Sequence, residues 1–166
     1  MRERGYAGVG IDTIVAHAGL TPGAFYTHFP SKQALFAAVV QRALEHSEKY
    51  LPAIDSPDDV EKFIAFYLSD KSVRALGTGC IVAAMSADLS RQGKAAREAA
   101  AAYVLLIQTR IEAALKAQHG SDANAVAWQR VAQAIGAVII SRLFASREIA
   151  IEVLNSVKQH RTTRLH

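Results

Sequence analysis

The 166-residue sequence has a single cysteine, Cys80, which rules out an internal disulfide and any zinc site built from several thiolates. No apolar run approaches the ~18 residues of a membrane span, and the opening Met1-Arg2-Glu3-Arg4 begins no signal-peptide pattern. A soluble cytoplasmic protein is the default expectation. Catalytic signatures are missing too: no Gly-x-Ser-x-Gly elbow, no phosphate-cradling glycine loop, no His-Glu-x-x-His zinc helix and no Glu-x-x-His pair of a di-iron bundle. The histidines (His17, His28, His46, His119, His160 and His166) are scattered. No enzyme, no cofactor and no metal is expected. Strand-like alternation, internal repeats and low-complexity tracts are absent, which leaves an all-α chain.

Charge is uninformative where it would matter most. The formal net charge is +4, but Lys158, Arg161 and Arg164 near the C-terminus supply +3 of it, and the basic tail after residue 159 is expected to fray. Residues 1–50 are nearly neutral, so charge alone does not suggest nucleic acid. What the chain does have is apolar residues, 51% of the total, and enough length to bury a real core.

One stretch names a job. Thr21 is a good N-cap with Pro22 at the first helical position, and Pro30 stops the helix within about two turns. Ser31 can cap the next helix, from Lys32 to about Tyr50. Upstream, Ile11, Ile14 and Val15 place a short helix over residues 11–17. Two short helices joined at Ala18-Gly19-Leu20 form a helix-turn-helix, whose second helix can enter a DNA major groove. Gly23 and Ala24 let the backbone approach base edges, and Thr27 suits bases or a thymine methyl. Tyr26, His28 and Lys32 suit phosphate oxygens. Phe25 and Phe29 read as core.

Gly5-Tyr6, Ile14-Val15-Ala16, Ala18-Gly19-Leu20-Thr21 and Phe25-Tyr26-Thr27-His28-Phe29-Pro30-Ser31-Lys32 together resemble the signature of TetR-family transcriptional repressors, over about residues 1–45. The resemblance implies an all-helical homodimer, with a DNA-binding head (1–45) on a ligand-binding and dimerisation body (46–166). It places Thr21, Pro22, Gly23, Ala24 and Thr27 on the recognition helix, and Tyr26, His28 and Lys32 at phosphate-contacting positions. The implied partners are double-stranded operator DNA and a small apolar or aromatic effector that releases it. Two departures stand out. Gly10 replaces a capping Ser or Thr, and Met1–Gly5 match only the end of the first helix. With most of that helix missing, Ile14, Phe25 and Phe29 are expected to be partly uncovered and DNA binding weak. A helical small-molecule-binding protein without DNA activity is the competing function.

The body reads as helices over about 57–68, 79–91, 94–118, 123–145 and 147–159, with a polar loop at 71–79. The last two carry more apolar surface than one small body needs, and Ala132, Gly136 and Ala137 permit close helix approach. A four-helix dimer interface under twofold symmetry would cover it, although packing within the monomer explains periodicity equally well. Phe63, Phe66, Tyr67, Cys80, Met85, Tyr103, Ile107 and Trp128 are candidates to line an effector cavity; each alone also fits plain core packing. Cys80, just after Gly77-Thr78-Gly79 and near a helix start, is either a small buried hydrophobe or a thiol that reacts with electrophiles.

Overall fold

The computed structural model describes residues 1–74, 77 and 79–159, and every regular element among them is helical. The basic tail at 160–166 and Thr78 lie outside the described residues. The order is α1 (Ile11–His17), α2 (Pro22–His28), α3 (Lys32–Lys49), α4 (Pro57–Tyr67), α5 (Asp70–Arg74), α6 (Ile81–Arg91), α7 (Lys94–His119), a 3₁₀ turn (Gly120–Asp122), α8 (Ala123–Ser141) and α9 (Arg147–Gln159). Side-chain caps set three of the starts. Thr21, Ser31 and Ser56 accept from the backbone N–H of Ala24, Ala34 and Asp59 at 3.2, 3.1 and 3.2 Å. Gly10 caps α1 without any side-chain bond. No described helix is long and apolar enough to cross a membrane.

Two hydrophobic clusters hold the chain together. The larger joins α4, α7, α8 and α9 through Val60, Ile64, Ile111, Ala127, Val138 and Leu154. The second joins α3 to α6 and the first half of α7 through Phe36, Val40, Ile81, Met85 and Ala96. Phe36 and Val40 have no exposed surface. The helix that leaves the helix-turn-helix is thus anchored in the body, and it runs unbroken past residue 45 to Lys49.

Three expectations need correction. The helix expected to reach Ala145 ends at Ser141, where the chain tightens: Leu143 N–H donates to the Ile140 carbonyl and Phe144 N–H to that of Ser141, i→i+3 bonds that close the last turn. The segment read as a loop from Lys71 begins with a short helix, α5. Phe25 is only 4% exposed, because Tyr26 and Phe29 flank its ring at 5.1 and 5.9 Å; Ile14 and Phe29 are half-buried, as expected.

Candidate functional site

The turn between α1 and α2 is built by backbone bonds around one glycine. Gly19 has φ +67°, Gly19 N–H donates to the Ala16 carbonyl, and Leu20 N–H reaches that of Val15 at 2.8 Å. This pair of bonds terminates α1 and swings α2 across it; a side chain at position 19 would strain the left-handed backbone. Beyond the turn, Thr21, Pro22, Gly23, Tyr26, Thr27 and His28 are exposed, and Ala24 is half-buried. Thr27 Oγ1 donates to the Ala24 carbonyl at 2.7 Å, which commits its proton and leaves its lone pairs and methyl group for another surface. Tyr26 is 57% exposed, while the Phe25 ring beneath it is buried. Lys32 is half-buried, its Nζ 4.3 Å from the centre of the Tyr6 ring, which in turn meets Phe36 edge-on at 5.3 Å. The sequence-predicted DNA residues therefore lie together on α2 and the start of α3.

A second feature lies among α3, α4, α6, α7 and α8: a cavity of about 370 Å3, within the usual range of roughly 300–1,000 Å3 for small-molecule sites. Phe63, Phe66, Tyr67, Cys80, Tyr103 and Ile107 line it, as expected of them. Met85 and Trp128 do not. Met85 is buried in the cluster with Phe36, at a point where α6 departs from helical geometry (φ −133°, ψ 24°). Trp128 is 43% exposed. Reading residue types missed much of the wall, including His46, Ser47, Val104, Ile135, Val138 and Arg142. Only Arg142 carried a signal, as a charge inside the apolar run 138–144.

The wall is dry. Burial pushes the Tyr103 phenol up to about 12, with Cys80 adding to the effect, and burial pushes Tyr67 up further still. Cys80 is a free, half-buried thiol immediately before α6. Among the described residues no cluster of His, Cys, Asp and Glu is placed to hold a metal ion.

α6 touches both features. Cys80, Ile81 and Val82 at its start line the cavity. Near its other end, Asp88 Oδ2 accepts from the Tyr6 backbone N–H at 3.0 Å, beside the ring that carries Lys32. Arg2 Nη1 adds a second tie, donating to the Gly79 carbonyl at 2.9 Å, one residue before Cys80.

Residues 1–39 match the family described as bacterial regulatory proteins, tetR family. No curated protein matches the chain significantly. Among solved structures, the reduced form of NemR from E. coli superposes with a TM-score of 0.77 at 20% identity, covering 95% of this chain and 86% of that one. A TetR-family transcriptional regulator from Agrobacterium tumefaciens gives 0.74 at 16% identity, covering 98% and 91%. Another, from Cytophaga hutchinsonii, gives 0.73 at 20%, covering 93% and 84%. At these identities the likeness speaks to the fold.

Proposed function

We propose that the chain is a TetR-family transcriptional regulator, supported by the family match at residues 1–39 and by its fold, and that it is a repressor. It sits on operator DNA as a homodimer and leaves when a small molecule fills the cavity. Residues 1–45 are the reading head and 46–166 the sensing and dimerising body. Thr21, Pro22, Gly23, Ala24 and Thr27 face the bases; Tyr26, His28 and Lys32 hold phosphates. Two heads on one dimer read two half-sites on one face of the duplex.

The observation that carries this reading is the double engagement of α6. A ligand pressing on Cys80–Val82 bears on the first half of α6, which the kink at Met85 joins to the half that holds Tyr6 through Asp88. Tyr6 backs Lys32 and packs on Phe36. A small shift of α6 therefore changes the placement of the head, and with it the spacing of the two recognition helices. Release needs only that the ligand favour the arrangement that fits the operator less well.

The dimer reading rests on the outer row of α8. Trp128, Ala132, Gly136 and Ile140 recur every four residues, with Phe144 just past the helix end; all are exposed except the half-buried Gly136. A Cβ built on Gly136 meets nothing within 4 Å, so nothing in its own chain requires a glycine there. Ala137, by contrast, is 4% exposed and packs inside the protomer.

The test combines release and binding. Compounds that raise the melting temperature are first sorted by whether Phe66→Ala and Tyr103→Ala abolish the effect. Those that bind in the cavity are then added to a complex with the DNA upstream of the protein's own gene. Dissociation of the complex is expected. Cavity binding that leaves the complex intact at saturating ligand overturns the ligand response.

A further inference from the structure

The charge of the cavity wall bears on the charge of its occupant, an inference that rests on reading the cavity as the effector site. Lys71 and Arg142 line it, and among the described residues no Asp or Glu does. Arg142 follows the last residue of α8, and its Nε donates to the Val73 carbonyl at 3.0 Å. Its Nη2 is buried and has no hydrogen-bond partner. The carboxylate on neighbouring α5, Asp70, is engaged elsewhere, accepting from Arg74 Nε at 3.1 Å and Arg147 Nη2 at 3.2 Å. The carbonyls ending α8 offer about half a negative charge, short of a full counterion.

A second donor stands unmet in the same wall. The Tyr67 hydroxyl is buried without a hydrogen-bond partner, close enough to Arg142 for the guanidinium charge to act on its phenol. Cys80 and Tyr103 are its other polar neighbours, and the Cys80 thiol is a weak hydrogen-bond partner. Native structures satisfy nearly all buried polar groups, so the buried Nη2 of the half-buried Arg142 is left wanting an acceptor. A guanidinium N–H and a phenol O–H on one wall of an apolar cavity match the two oxygens of a carboxylate. We propose that the effector is an organic carboxylate, its apolar body lying against Phe63, Ile107 and Val138, and its oxygens accepting from Arg142 Nη2 and Tyr67 Oη.

The experiment titrates the full chain by calorimetry with benzoate, naphthoate and decanoate, each beside its uncharged amide. For at least one pair the acid is expected to bind about 10–100-fold tighter than the amide, the worth of a charge-assisted hydrogen bond. Arg142→Gln should erase that preference by weakening the acid far more than the amide, and Tyr67→Phe should weaken the acid roughly 3–10-fold. If Arg142→Gln does not fold, Arg142→Lys and the wild-type comparison of acids with amides still decide. No acid binding tighter than its amide, including no binding at all, overturns the proposal, as does a preference for acids that survives in a folded Arg142→Gln. Operator release is read separately. An acid held through Arg142 that leaves the DNA complex intact upholds this inference and defeats the ligand response. Release by uncharged compounds alone does the reverse.

Discussion

Gly136 offers a sharp test of the dimer, because its own chain and a partner chain make opposite demands on it. It lies in the middle of α8, and a Cβ there meets nothing within 4 Å. Within the protomer, Gly136→Ala should therefore be stabilising, by about 0.8–1 kcal/mol, the helix-propensity difference. Gly136→Leu likewise starts from a Cβ that meets nothing in its own chain and gains helix propensity over glycine. At a twofold interface on the row Trp128–Ala132–Gly136–Ile140–Phe144, the same leucine is overpacked in both copies. Overpacking costs about 1–3 kcal/mol per site, hence ~2–6 kcal/mol for the pair. The dissociation constant should rise roughly 30-fold to 10⁴-fold. Sedimentation equilibrium across a micromolar range, with Gly136→Ala as the control, reads this directly. A Gly136→Leu protein that is folded and dimerises as tightly as the wild type would refute the assignment of this face, and a monomeric wild type would refute the dimer.

Three other outcomes are expected. Lys32→Ala should lower operator affinity for all sequences and reduce the salt slope by about one per head, whereas Tyr26→Phe, which removes a neutral donor, should weaken binding and leave the slope in place; anisotropy titrations at several salt concentrations separate the two. Phe36→Ala, at a fully buried position joining α3 to α6 and α7, should cost ~3–5 kcal/mol and lower the melting temperature by roughly 10 °C or more at fixed protein concentration. Tyr103 carries a phenol raised to about 12 by burial, so its contribution to stability is complete below about pH 10, and it is lost as the pH climbs to about 12, because the unfolded chain gives up its proton first. Urea melts across that window should fall less steeply for Tyr103→Phe, and an unchanged slope would place the phenol in a wetter site.

The parts of the fold that follow from local chemistry were legible in the sequence. Thr21-Pro22, Ser31 and Ser56-Pro57 announce helix starts by their capping groups, and the structure uses all three. The end of α8 was not legible. The apolar period continues through Leu143 and Phe144, and the chain stops at Ser141 with no glycine or proline to mark it, in a turn whose next residue, Arg142, is tied to the distant Val73 carbonyl. The kink at Met85 is equally invisible, since the segment has an ordinary helical composition.

The cavity shows the same division. Four large aromatic residues on α4 and α7 (Phe63, Phe66, Tyr67 and Tyr103) were legible as cavity lining, with Cys80 and Ile107 beside them, from size and apolarity. Met85 and Trp128 have the same chemistry but belong to other faces, one against Phe36 and one outward on α8. Which face a residue joins depends on helix rotation and on the kink, and residue types alone do not encode either. Arg142 is the reverse case. Its meaning emerges only once its neighbours are known to leave Nη2 without a partner.

The central claim is that this chain reads DNA sequence through α2. The most direct measurement is a competition titration of the full chain between the DNA upstream of its own gene and a scrambled duplex of equal length and composition, at one fixed salt concentration, for the wild type and for Thr27→Ala. The account predicts a preference for the natural sequence of roughly 10³-fold or more, typical of specific binders, and for Thr27→Ala a change in which base pairs are preferred, with scrambled-DNA affinity unaltered. Equal affinity for the two duplexes would contradict it, and would leave a helical ligand-binding protein that carries a recognition helix without using it.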